Sequence, residues 1–401
     1  MTLVVVGAGL AGAKAAEAAR DAGYDGRLVL VGEEDQPPYE RPPLSKYVLR
    51  GEKAPETARV HDEGFYAEQS IELRTGERVT GLDVAARTLQ VGDEVIAFDK
   101  AVLAMGARPR RLDVPGADLP SAHYLRTVED SLRLGEAIRG ASRVAVIGGG
   151  WIGSEVAASA RQLGAEVVMC DPLATPLFGV LGEQVGSAFA QLHRDHGVTL
   201  RMGVGVSALQ PDGVVLADGS TERADVVVVG VGAVPNVELA QQAGLAVDNG
   251  VVVDATLMTA VPGVLATGDV ASAYHPRYER HVRVEHWANA LNQGKAAGQN
   301  AVGEPQPYDR LPYFYSDQYD LGMEYVGLAA RDDQVIIRGD REGLSFLAFY
   351  HRDGRVTAAL TVNVWDVVDD LKAIITSGWD VDEDVLRDAD VPLSELRGQL
   401  T

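Results

Sequence analysis

Leu3-Val-Val-Val-Gly-Ala-Gly-Leu-Ala-Gly12 decides the fold, and it returns as Val144-Ala-Val-Ile-Gly-Gly-Gly-Trp-Ile-Gly153. Each copy is a short apolar run that breaks into glycines and then enters an alanine-rich helical pattern. Gly7, Gly9 and Gly12 have G-x-G-x-x-G spacing, as do Gly148, Gly150 and Gly153. The first glycine permits the tight turn out of a strand, the second admits a pyrophosphate close to the backbone, and the third lets helix and strand pack. The helix that follows presents free N–H groups and a positive dipole end to a phosphate. Two such motifs in one chain point to two bound dinucleotides.

Around the first motif the pattern reads strand, helix over residues 10–22 and strand over 27–31, with Gly23 as the helix stop. Glu33 follows about 20 residues beyond Gly12, where an acid can bind both hydroxyls of an adenosine ribose. The second unit repeats this: strand 143–147, helix 151–163, Gly164 as stop, strand 166–170, then Asp171 in the ribose position. No arginine follows Asp171 to receive a 2′-phosphate, which favours NADH over NADPH. A helix is expected over 132–140. A strand buried on both faces is expected over 225–231, ending in Gly232.

The 401 residues exceed one ordinary core. We expect an α/β chain of two Rossmann-like dinucleotide-binding domains plus a C-terminal α+β domain. The boundaries read as 1–108 with 236–310, then 109–235, then 311–401. The last part carries a hairpin at 351–354, a helix at about 364–377 and an acidic tail at 380–390.

Hydrophobic residues make up 46% and charged residues 23%, as in a soluble globular protein. No apolar run nears the ~20 residues that span a bilayer, and the N-terminus has no signal-peptide pattern, so a cytoplasmic location is expected. The net charge of −22 argues against nucleic acid and anionic membranes as partners. The single cysteine, Cys170, excludes an internal disulfide and a self-held iron–sulfur cluster, and its place at a strand end suggests a buried thiol. His193 and His196, three apart on a helix, read as surface residues rather than metal ligands, and no metal site is expected.

Three further stretches make the pattern specific: Arg41-Pro-Pro-Leu-Ser-Lys46, Gly148-Gly-Gly-Trp-Ile-Gly-Ser-Glu155 and Arg283-Val-Glu-His-Trp-Ala-Asn-Ala290. With them the chain resembles, over its whole length, the FAD-dependent NADH:ferredoxin reductases that serve oxygenases and cytochromes P450. The resemblance implies a glutathione-reductase-like architecture with FAD and NADH as cofactors. It puts the FAD pyrophosphate on Gly7, Gly9, Ala11 and Gly12, and the FAD ribose on Glu33. Arg41, Lys46, Val79 and Arg126 match positions lining the flavin or its phosphates, and Asp269 of Thr267-Gly268-Asp269 matches the ribityl–phosphate end. Trp287 and Tyr315 match positions near the isoalloxazine, where family members often carry tryptophan in place of Tyr315; Glu285 belongs to the same stretch. Gly148, Gly150, Ile152, Gly153, Asp171 and Gly232 match the NADH site.

On this resemblance NADH passes hydride to flavin N5 and electrons leave singly for an iron–sulfur ferredoxin. Lys46 and Glu155 are the catalytic pair expected near N5. Disulfide-reducing relatives carry a redox cysteine in the first domain; residues 37–46 have none, so thiol mechanisms are excluded. The basic residues of 275–287 form a candidate docking patch for an acidic ferredoxin. The alternatives are a rubredoxin or monodehydroascorbate reductase, or a slow-turnover binding protein of the apoptosis-inducing-factor type. The oligomeric state is left open.

Overall fold

The computed structural model describes residues 1–397. It divides into two compact units. The first holds Met1–Arg41, Pro55–Arg108 and Ala233–Arg310. The second holds Pro42–Ala54, Pro109–Gly232 and the chain from Leu311 onward.

The first unit is built on a five-stranded parallel sheet, in the order Val264–Ala266, Lys100–Leu103, Thr2–Val6, Arg27–Val31, Ile71–Arg74. Its central strands are nearly continuous β-branched and leucine runs because both faces are covered. The Leu10–Asp21 helix lies against the Trp287–Val302 helix. The two backbones meet at glycines: a Cβ on Gly294 would strike the carbonyl of Ala11, and one on Gly298 that of Ala15. An antiparallel excursion of three strands spans Val79–Asp83, Thr88–Val91 and Glu94–Ala97.

The second unit repeats the parallel sheet in the order Val198–Met202, Glu166–Asp171, Arg143–Ile147, Val226–Val229, Ala122–His123. The helix expected over 132–140 begins earlier, at Val128, because Thr127 and Asp130 close a capping box. A separate antiparallel sheet orders Tyr313–Gln318, Leu321–Gly327, Arg355–Val362, Ser345–Arg352 and Gln334–Asp340. One of its faces packs on Leu181, Val185, Phe189 and Leu192 of the Phe178–Asp195 helix. The other is covered by Leu371, Ile374 and Ile375 of the Val368–Ser377 helix.

Two expectations fail here. Residues 380–390 are not simply an acidic tail: Val381 and Leu386 are buried, and Asp382 caps the Glu383–Arg387 helix through the Asp384 N–H at 2.8 Å. Apolar residues every few positions carry the acids into a packed cover. His193 is not a surface residue either. It is buried, its Nδ1 lies 3.2 Å from the Tyr319 hydroxyl, and burial pushes its pKa down to about 4. His196 stacks on the same Tyr319 ring, so both histidines serve packing of the helix on the C-terminal sheet.

Candidate functional site

Both glycine motifs fold alike. Gly7 (φ +107°) and Gly148 (φ +100°) turn the chain out of its strand in a conformation that disfavours side chains. Gly12 and Gly153 are required for close approach, since a Cβ on either would strike the carbonyl of Gly7 or Gly148. Gly9 and Gly150 differ: a Cβ there would meet nothing within 4 Å. They are also the N-cap residues of the Leu10–Asp21 and Trp151–Gln162 helices, and no side chain caps either helix. Each motif therefore offers uncapped N–H groups beside open space, which fits a dinucleotide pyrophosphate.

In the first unit the motif lies beside the Thr267-Gly268-Asp269 turn, where a Cβ on Gly268 would reach 2.8 Å from the Ala11 methyl. Gln293 holds that turn by accepting from the Gly268 N–H at 2.8 Å. Thr267 Oγ1 is buried without a hydrogen-bond partner among the described residues, which fits a contact to a polar ligand atom. Asp269 sits half-buried on the turn, and its carbonyl accepts from Arg283 at 3.3 Å. Arg41 pairs with Glu34 at 2.8 Å and donates to the Tyr39 hydroxyl at 3.1 Å. Glu33 is exposed at the end of its strand, within reach of Arg78 at 3.1 Å. Val79 opens the antiparallel excursion, and Trp287 opens the Trp287–Val302 helix, half-buried.

In the second unit Asp171 accepts from the Gly149 and Leu173 N–H groups, both at 2.7 Å. It thus ties the glycine turn to the end of its own strand. Ile152 leaves its side chain 44% exposed at the helix start, next to that open space. Gly232 (φ +105°) accepts from the Arg110 N–H at 2.9 Å. Arg126 is half-buried just before the Val128–Gly140 helix, and Tyr315 is half-buried on the Tyr313–Gln318 strand.

Lys46 and Glu155 meet. Lys46 Nζ lies 2.8 Å from Glu155 Oε2, with side chains 9% and 7% exposed. Lys46 lies on the Pro42–Ala54 segment, which belongs to the second unit although the chain on either side of it belongs to the first. Two buried serines anchor it there. Ser131 donates to the Leu44 carbonyl and Ser159 to the Ser45 carbonyl, each at 2.7 Å. Sequence reading missed both anchors and also the Ser45 and Ser316 hydroxyls, which donate to Glu155 at 2.5 and 2.6 Å. Nothing in the spacing of these serines marks them, because their partners lie between 87 and 161 residues away.

The docking patch expected over 275–287 shrinks. His275 is buried, with Nε2 donating to the Arg310 carbonyl at 3.0 Å, and burial pushes its pKa down. His286 is pushed down to about 4 by burial. Arg283 is turned onto Glu285 and the Asp269 carbonyl. Arg277, Arg280 and His281 remain exposed. No helix of the described residues is long and apolar enough to cross a membrane.

The pyridine nucleotide-disulphide oxidoreductase model matches residues 1–294, and the reductase C-terminal model matches residues 313–397. The chain is 40% identical to the ferredoxin–NAD(+) reductase component of an anthranilate 1,2-dioxygenase system from Burkholderia cepacia, over 97% of this chain and 98% of that one. It is 39% identical to the ferredoxin reductase subunit of a 5,5'-dehydrodivanillate O-demethylase from Sphingobium, over 98% and 97%. Among solved structures, the ferredoxin reductase for the CYP199A2 system of Rhodopseudomonas palustris superposes with a TM-score of 0.96 at 36% identity, covering 99% of this chain and 100% of that one. The reductase in a covalent putidaredoxin reductase–putidaredoxin complex gives 0.94 at 36% identity, over 98% and 97%. Two glycine turns of one geometry, a C-terminal sheet domain and full-length likeness to these proteins agree: the chain belongs to the FAD- and NAD-dependent ferredoxin reductase family.

Proposed function

We propose that the chain takes hydride from NADH and delivers single electrons to an iron–sulfur ferredoxin that supplies a cytochrome P450 or Rieske-type oxygenase in the cytoplasm. One observation carries this reading: the chain has two open glycine cradles and no thiol fit to relay electrons. Its single cysteine, Cys170, is buried and its pKa is pushed up to about 12. Bound FAD supplies the conversion of a two-electron donor into one-electron steps.

The residues divide the remaining work. Gly7, Gly9, Ala11, Gly12, Glu33, Arg41, Val79, Asp269, Glu285 and Trp287 would hold FAD, drawn from the proposed 1–108 and 236–310 domain. Gly148, Gly150, Ile152, Gly153, Asp171 and Gly232 would hold NADH on the 109–235 domain. Lys46, Arg126 and Tyr315 would complete the flavin's surroundings, Tyr315 from the 311–401 domain. A fixed ammonium at Lys46, held by Glu155, stabilises negative charge that develops during hydride transfer.

The test is NADH-dependent reduction of cytochrome c with and without each of a panel of ferredoxins. A ferredoxin-dependent rise over the basal rate is the expected result. NADH turnover that no ferredoxin accelerates would refute the electron-transfer assignment.

A further inference from the structure

Glu155 is a buried carboxylate whose two oxygens are served unequally. Oε2 takes both the Lys46 ammonium at 2.8 Å and the Ser45 hydroxyl at 2.5 Å. Oε1 takes the Ser316 hydroxyl at 2.6 Å, and no other donor to it occurs among the described residues. Ser316 comes from Tyr313–Gln318, the edge strand of the C-terminal sheet, and is 1% exposed. An ionised carboxylate only accepts, so the Ser316 proton points at Glu155. Gln318, two residues along and on the same face of the strand, approaches Ser316 Oγ with its amide nitrogen at 3.5 Å. That leaves the serine lone pairs facing a donor and its proton free for Glu155.

We infer that Ser316 is a positioning residue for the Lys46–Glu155 pair, so that the C-terminal domain sets the place of the lysine and the field it exerts. The inference rests on the reading of Lys46 as a group that acts at the flavin. Burying a carboxylate in a fixed orientation requires donors on both oxygens. With Oε1 orphaned, the carboxylate is drawn further onto Lys46, and its negative charge is less well spread. The field that Lys46 exerts beyond the pair weakens. Ser45 cannot substitute, because its hydroxyl is already committed to the other oxygen.

The experiment compares the FAD-loaded parent with S316A, S316T, E155Q and S316A/E155Q. Each is measured for FAD content, for the midpoint potential of bound FAD and for flavin bleaching by NADH in a stopped-flow instrument without air. S316A should lower the midpoint potential and slow limiting bleaching about tenfold, as loss of a hydrogen bond to a charged group implies. NADH half-saturation should stay within about twofold, since Ser316 lies outside the nucleotide cradle. S316T, which keeps the hydroxyl, should recover potential and rate. Adding S316A to E155Q should change neither, because the hydroxyl acts through the carboxylate.

An S316A protein with parental potential and rate would overturn the assignment. So would an S316T protein as impaired as S316A, or an S316A effect that persists undiminished on E155Q. If S316A binds too little FAD to measure, S316T and the E155Q pair still decide. A parent protein that NADH fails to bleach would instead overturn the function on which the inference rests.

Discussion

Replacing Lys46 by alanine removes the cation from a pair whose side chains are 9% and 7% exposed and whose atoms stand 2.8 Å apart. Breaking a buried pair on one side costs about 3–5 kcal/mol, because the surviving charge stays desolvated. Here Glu155 keeps two hydroxyl donors, at 2.5 and 2.6 Å. Hydrogen bonds to a charged group offset part of the loss, which sets the expected cost at about 2–3 kcal/mol. For folding units of this size that lowers the melting temperature by about 5–10 °C. Calorimetry of the FAD-loaded protein measures it, beside K46M, E155Q and the double variant K46M/E155Q. The double variant should recover most of the loss, since it buries no charge. K46A melting within about 1 °C of the parent would show that the buried pair adds nothing to stability. So would a double variant whose loss equals the sum of the single losses, since that denies the coupling. The same K46A protein should be bleached by NADH at least about tenfold more slowly than the parent; a rate within about twofold, at equal FAD content, would remove Lys46 from the chemistry.

The two cradles can be separated by substitution. Gly9→Val should fold yet lose FAD, and Gly150→Val should keep FAD but raise the NADH half-saturation, because both sites open on empty space; absorbance and NADH titration read the two outcomes, and either variant with parental binding refutes its cradle. Asp171→Ala should weaken NADH by about tenfold by untying the glycine turn and removing the ribose acceptor. Acid melts should expose His193. Its folded pKa, about 4, lies below the unfolded value, so the unfolded chain binds the extra proton and stability is lost as pH falls from about 6.5 to 4. A His193→Asn protein should show a shallower loss across that window. Ferredoxin turnover should fall as salt rises past ~0.15 M if Arg277, Arg280 and His281 steer docking, since screening is then about 8 Å; a flat profile denies them that role.

The parallel sheets and both nucleotide turns were legible because they rest on local rules. A β-branched run, a glycine at fixed spacing and an alanine-rich helix need no distant partner to be recognised. The Lys46–Glu155 pair was reached only through likeness to a family, and the structure brings the two side chains to 2.8 Å. What escaped was tertiary. Ser45, Ser131, Ser159 and Ser316 look like ordinary serines until folding brings carbonyls and a carboxylate to them. The same blindness misjudged His275, His286 and His193, since a sequence gives charge type but not burial. It also took 380–390 for a tail by counting acids, where Val381 and Leu386 pin the segment to the C-terminal sheet.

In the proposed cycle NADH reduces the flavin held by this chain without any thiol intermediary. Anaerobic titration of the purified yellow protein with NADH tests it most directly. Visible flavin absorption should vanish near about one equivalent of NADH and return on adding oxidised ferredoxin. Protein that stays colourless with FAD, or yellow protein that NADH leaves unbleached, would contradict it.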